Sequence, residues 1–132
     1  DKNMLPFNES AVRKDFWIDG AFTDNAKNDE SAQMTTVFHK GNLYIFNCHG
    51  VRKELYEYLE YIVPFLKSSG YKPTSSVFIE MKASGYGFYS MLKSAKYGGF
   101  NCRKINSKTV SFGKLTRAQN SQPTLASGKV LN

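Results

Sequence analysis

Blocks of apolar and polar residues follow one another along this chain in a way that predicts a small set of elements in a fixed order. Residues 34–39 and 43–48 are β-prone runs on either side of Lys40-Gly41-Asn42, the pattern of a hairpin and its turn. Leu55, Leu59, Ile62, Val63 and Leu66 then recur at helical spacing, and Glu54, Glu57 and Glu60 fall on the other side. That predicts an amphipathic helix with its acids toward water and toward its N-terminus. Pro64 lies inside the pattern and predicts a kink or interruption near Ile62, because it removes a ladder hydrogen bond. Ser68-Ser69-Gly70 ends the helix, and Val77-Phe78-Ile79 centres a strand over 76–81. The strand stops at the turn Ala83-Ser84-Gly85-Tyr86-Gly87. Phe88, Met91, Leu92 and Ala95 share one face of a second helix, closed by Gly98-Gly99, and residues 100–105 alternate as a last strand.

Three segments result. Residues 1–32 read as an irregular N-terminal arm, with Phe16, Trp17, Ile18 and Phe22 docking it on its own core in preference to a neighbour. Residues 33–106 form the core domain, and 107–132 a basic tail without periodicity, disordered alone or ordered by a partner. The strand–helix–strand portion implies a parallel pair with right-handed crossovers, hence an α/β layered domain.

At 132 residues there is room for one domain with one core, and 41% hydrophobic with 22% charged residues is a folded composition. The apolar runs are too short for a membrane span. Cys48 and Cys102, without a C-x-x-C pattern, spell neither a disulfide framework nor a zinc site, so buried free thiols and no metal or other cofactor are expected.

Charge changes the picture most. Residues 1–80 hold nine Lys and Arg against eleven Asp and Glu, whereas residues 81–132 hold nine Lys and Arg and no acid. A basic half without acidic counterweight is an electrostatic footprint for a polyanion, since a solubility surface mixes both signs. A glycine turn opening a helix also leaves backbone N–H groups pointing outward toward a phosphate. Together these point to nucleic acid. Lys outnumbers Arg fourteen to four, a usage common where coding DNA is AT-rich, as in organelles. Glu80 is the one acid near the strand ends, while phosphoryl cleavage needs clustered carboxylates to hold metal, so no catalytic residue is expected. His39, at the hairpin end, reads as a solvated turn histidine. Two rival readings remain: a free-standing RNA- or DNA-binding regulatory module, and a small nuclease with His39 or His49 as general base.

In this order the residues resemble the universal small-subunit ribosomal protein family numbered eleven in the bacterial scheme. Gly41-Asn42 matches the family's hairpin turn, and Gly50-Val51-Arg52-Lys53 its helix-opening Gly-Ser-Arg-Lys. Lys82, Gly85, Gly87 and Ser90 match its Lys-Gly-Pro-Gly-x-Gly-Arg-x-Ser loop without gaps, and Leu92, Gly99 and Ile105 continue the register. The collinear match runs from about Thr35 to Arg117. Phe88 stands where the family has an arginine and Ala83 where it has the first glycine. The Cys48–Gly50 connection is shorter than the family's, and the tail keeps the charge but not the Pro-, His- and Arg-rich motif. Such drift is similar to that of mitochondrial ribosomal proteins.

The resemblance implies a ribonuclease-H-like α/β fold, without nuclease activity, on the platform of the small subunit. There it would bind small-subunit ribosomal RNA near the messenger exit channel and the RNA's three-prime end. Platform proteins numbered six, seven and eighteen would be its neighbours, with no small-molecule substrate and no membrane involved. Arg52 and Lys53 would contact phosphates, and Gly85 and Gly87 would admit RNA backbone to the second helix beside Lys82. Lys93, Lys96, Arg103 and Lys104 are further phosphate contacts, and Lys108, Lys114 and Arg117 would thread the tail into RNA. Tyr86 and Phe88 are candidates for stacking on unpaired bases, with core packing favoured for Phe88.

Overall fold

A computed structural model of the chain describes residues 5–20, 30–80, 85–105 and 129–130. It is mixed α/β: one mixed sheet and two α-helices. The strands are β1 (Asp15–Asp19), β2 (Ser31–His39), β3 (Asn42–Val51), β4 (Val77–Glu80), β5 (Cys102–Ile105) and β6 (Lys129–Val130). The helices are α1 (Leu55–Ser68) and α2 (Gly85–Lys93). The spatial order is β5-β4-β1-β2-β3, and the two-residue β6 adds to the outer edge of β3. β2 runs antiparallel to its neighbours β1 and β3, while β4 and β5 are parallel to β1.

The hairpin forms where the pattern predicts, and it is longer than expected. Lys40 and Gly41 both take positive φ, +49° and +81°, the geometry of a two-residue turn matched to strand twist. Asn47, with φ +50°, sits where the register shifts opposite Gln33 and Thr35, so β3 is bulged there. Beyond the bulge Gly50 and Val51 still pair with Ala32 and Ser31. The stretch from Gly50 to Lys53 therefore finishes a strand before it leads to a helix, contrary to the expectation from its helix-opening pattern.

α1 buries Tyr58, Leu59, Ile62 and Leu66 and exposes Glu54, Glu57 and Glu60. Each large apolar side chain so buried contributes about 1.5–3 kcal/mol. Pro64 does not interrupt this helix. It lies on the exposed side, one turn after the exposed Glu60, so the carbonyl that loses its donor is on the wet face. Gly70, at φ +97°, lets Tyr71 N–H reach back to the Leu66 carbonyl and closes the helix. α2 starts at Gly85, earlier than expected, and stops at Lys93, where Ser94 donates both its hydroxyl and its N–H to the Met91 carbonyl. A short 3₁₀ turn over Ala95–Tyr97 follows. Ala95 is consequently exposed and off the buried face predicted for it.

Both crossovers, β3-α1-β4 and β4-α2-β5, join parallel strands and move in the same direction across the sheet, so connections of one hand leave both helices on one face. The core confirms it: Phe16, Ile18, Val77, Ile79 and Cys102 from the sheet meet Tyr58, Leu59, Ile62, Leu66, Phe88 and Leu92 from the helices. Trp17, Met34, Ile45 and Cys48 belong to a second cluster on the other face. Cys48 and Cys102 are both buried free thiols and lie in different clusters.

The largest departure from the sequence reading is β1. The arm expected to be irregular over 1–32 supplies a central strand, flanked by β2 and β4, and the sheet extends beyond the 33–106 partition. Phe16 and Ile18 are buried in the chain's own core, while Phe22 lies outside the described residues. The Asp15 carboxylate accepts from Ser76 N–H and Arg13 Nε, tying β1 to the start of β4. His39 is half-buried against Phe7, with ring centroids 5.3 Å apart, and is not a solvated turn residue. Among the described residues no helix is long and apolar enough to cross a membrane.

Candidate nucleic-acid interface

Because β3 and β4 are parallel, α1 and α2 both begin at the same edge of the sheet, beyond the strands' carboxyl ends. That edge is where α/β sheets hold their ligands. The two helix N-termini stand side by side: Tyr58 is the fourth residue of α1, Phe88 the fourth of α2, and their rings meet edge-on at 5.5 Å. Phe88 is fully buried in this contact, so core packing, and not base stacking, accounts for this aromatic.

The two N-termini differ in what they offer. α1 is closed by its own carboxylates: Glu54 and Glu57 cap each other's backbone N–H groups. What the start of α1 could offer an anion is therefore the exposed Arg52 and the half-buried Lys53, not the helix end. α2 has no acid in its first turn. The backbone N–H groups of Gly85, Tyr86 and Gly87 have no carbonyl within the helix to bond, and they carry the positive end of its dipole. Gly87 is exposed, and a Cβ added there would meet nothing within 4 Å. A ligand can approach the backbone at that point.

The candidate lysines share a feature that the sequence reading did not use. Lys53 Nζ lies 5.8 Å from the centre of the Tyr61 ring, Lys96 Nζ 5.6 Å from that of Tyr97, and Lys93 and Lys104 Nζ 5.4 and 5.0 Å from that of Tyr89. Every described lysine predicted to touch RNA thus leans on a tyrosine. The spacing was visible for one pair, since Tyr89 and Lys93 are four apart in a helix. For Lys104 on Tyr89 it was not, because β5 reaches α2 only through the fold. Arg103 points to the other face of β5, where Nε donates to Ser76 Oγ at 3.2 Å. Arg103 and the Lys93–Lys104 pair are therefore separated by the sheet. Lys82, Lys108, Lys114 and Arg117 lie outside the described residues, as does the Tyr86 side chain.

A buried polar chain supports Lys53 from below. The Tyr58 hydroxyl donates to Gln33 Oε1 at 2.8 Å, Gln33 Nε2 donates to the Tyr61 hydroxyl at 2.9 Å, and His49 Nε2 lies 3.0 Å from that hydroxyl. Burial, with the nearby Tyr61 and Asp19, pushes the Tyr58 phenol well above its ordinary value. Burial also raises Tyr61, opposed by the Gln33 hydrogen bond. His49 is thus a member of this chain. The Cys102 thiol, beneath α2, is pushed up to about 12 by burial, with Lys93 pulling the other way.

Glu80 is joined at the strand ends by Asp19, which the sequence reading had left in the arm. The two residues close adjacent parallel strands and are 4% and 8% exposed. Among the described residues no group of three or more possible metal ligands assembles.

Compared with models of known protein families and with curated proteins, the chain matches none.

Proposed function

We propose that this protein is a structural RNA-binding component of the small ribosomal subunit, acting in translation and resembling family eleven. One observation carries the reading: the starts of two helices, with Arg52-Lys53 before α1 and Gly85–Gly87 in the first turn of α2, lie side by side at one sheet edge in a chain with no acid after Glu80. Recognition on this reading is of backbone and shape, with phosphates held by lysines and N–H groups. The order β3-β2-β1-β4-β5, with β2 alone antiparallel, supports the ribonuclease-H-like reading of the fold. The partners are then small-subunit ribosomal RNA and neighbouring platform proteins, near the messenger, and the compartment is the mitochondrion. No enzymatic role is proposed.

Two measurements test this. Sedimentation of a mitochondrial lysate should carry the protein with the small subunit through moderate salt; persistence at the top of the gradient overturns the reading. In binding assays, Arg52→Ala with Lys53→Ala should lower RNA affinity and flatten its salt dependence by about one to two units of slope. An unchanged slope removes both residues from the interface.

A further inference from the structure

Among the described residues two large hydrophobic side chains stay exposed, Tyr56 at 60% and Phe38 at 67%. They stand at opposite edges of the sheet. Phe38 is beside the hairpin turn that precedes β3, and Tyr56 is in the first turn of α1, which follows the end of β3. Tyr56 is one turn before Glu60 and two before Val63, and both of those line the cleft that α1 shares with the 3₁₀ turn after α2. Its ring is therefore on the flank of α1 that faces α2, at the edge where both helices begin. Tyr58, Tyr61 and Phe65 of the same helix pack ring on ring, whereas Tyr56 makes no ring contact among the described residues. The exposed Arg52 and the half-buried Lys53 precede it by four and three residues. Glu57 beside it is held in the capping of α1, and Glu60 is exposed one turn further on. Those carboxylates disfavour a phosphate at the ring itself and leave it open to a neutral base. A free aromatic face next to two cations is a set for a nucleotide, with the base on the ring and the phosphate on the cations.

We infer that Tyr56 is a stacking platform for an unpaired base of the bound RNA, set between the starts of α1 and α2. This deepens the RNA reading above and rests on it. Arg52, Lys53 and the start of α2 hold phosphates, which are the same in paired and unpaired RNA. Tyr56 adds the requirement that the base beside them be unpaired, since a paired base keeps its face inside its own stack. Every base has a π-face, so the contact selects unpaired over paired RNA and not one sequence over another. It supplies the stacking that the buried Phe88 does not.

The test uses the full chain and a fluorescently labelled, mixed-sequence single-stranded RNA, titrated at several salt concentrations, beside a duplex of the same RNA. Tyr56→Ala should weaken single-strand binding about fivefold to a hundredfold with the salt slope unchanged, because the ring releases no counterion. Tyr56→Phe keeps the flat face and should bind as the unaltered chain does. The duplex hides its bases, so Tyr56→Ala should match the unaltered chain on it. Phe38→Ala removes an equally exposed aromatic at the far edge and should leave binding unchanged. Both side chains are exposed, so the melting temperature should hold in every variant. The platform is overturned if Tyr56→Ala keeps its affinity, if it loses single-strand and duplex binding alike, or if Tyr56→Phe or Phe38→Ala loses as much as it does. Full binding by Tyr56→Ala removes the platform and leaves the RNA reading standing. An unaltered chain that binds no single-stranded RNA at any salt removes the RNA reading and the platform with it.

Discussion

Replacing Tyr58 by phenylalanine removes one oxygen from the middle of the protein, and the structure says what that oxygen does. Tyr58 is fully buried and its hydroxyl donates to Gln33 Oε1 at 2.8 Å, with Gln33 itself 1% exposed. Without the donor, the amide oxygen stays out of reach of water and loses this partner. Leaving such a group unsatisfied costs about 1–3 kcal/mol, more than the roughly 1 kcal/mol net value of an average hydrogen bond. Gln33→Met, which keeps the length of the side chain, takes this acceptor from the Tyr58 hydroxyl instead and also releases Tyr61. It should cost a similar amount. Carrying both changes together leaves neither group stranded, so the double variant should be less destabilised than the two losses added, by about 1–2 kcal/mol. Urea unfolding measures this directly, with the single tryptophan, Trp17, as the probe; it is held in β1 by a 2.8 Å bond from Nε1 to Thr36. With a slope of about 1–3 kcal/mol per molar urea, a 2 kcal/mol loss moves the midpoint by about 1 M. If Tyr58→Phe stays within about 0.5 kcal/mol of the unaltered protein, or the two losses simply add, the buried chain does not hold α1 to β2 as argued.

Two further outcomes follow from the same structure. Gly87→Val adds a Cβ where nothing lies within 4 Å, on an exposed position, and replaces glycine by a residue better suited to a helix, so thermal stability should hold or rise slightly. RNA binding should nevertheless fall, and undiminished binding would remove Gly87 from the interface. The Cys102 thiol, raised from 9.0 to about 12, contributes stability that is complete below pH 9. That contribution is lost as pH climbs from 9 toward 12, because the unfolded thiol gives up its proton while the folded one keeps it. Cys102→Ala should therefore lose less stability than the unaltered protein between about pH 8 and about pH 10.5 in urea titrations. Both proteins retain Tyr58, whose raised phenol acts only above pH 10, so it cancels in the comparison. Parallel losses in the two proteins would refute the burial argument for Cys102.

How far the chain could be read without its fold depended on what each element had to bury. The helical spacing of Leu59, Ile62 and Leu66, and the paired runs about Lys40-Gly41, are local patterns facing one side each, and they placed α1 and the hairpin correctly. β1 eluded the same reading because it lies at the centre of the sheet. Phe16 and Ile18 face one cluster and Trp17 the other, so alternation between apolar and polar is lost where both faces are covered. Ala95 misled for a related reason: spacing carried it onto the helix, but Ser94 ends the ladder before it. The basic half with no acid and the glycines before Phe88 were legible as composition and pointed at an anion without saying where the parts would meet. Their meeting is a matter of strand order. Parallel β3 and β4 bring the starts of α1 and α2 to one edge, where Tyr58 packs on Phe88, and β5 carries Lys104 to the ring that already holds Lys93. Spacing along a chain reports which side of its own element a residue occupies. Which residues of distant elements share a site is decided by non-local pairing and burial, and those exist only once the sheet has formed.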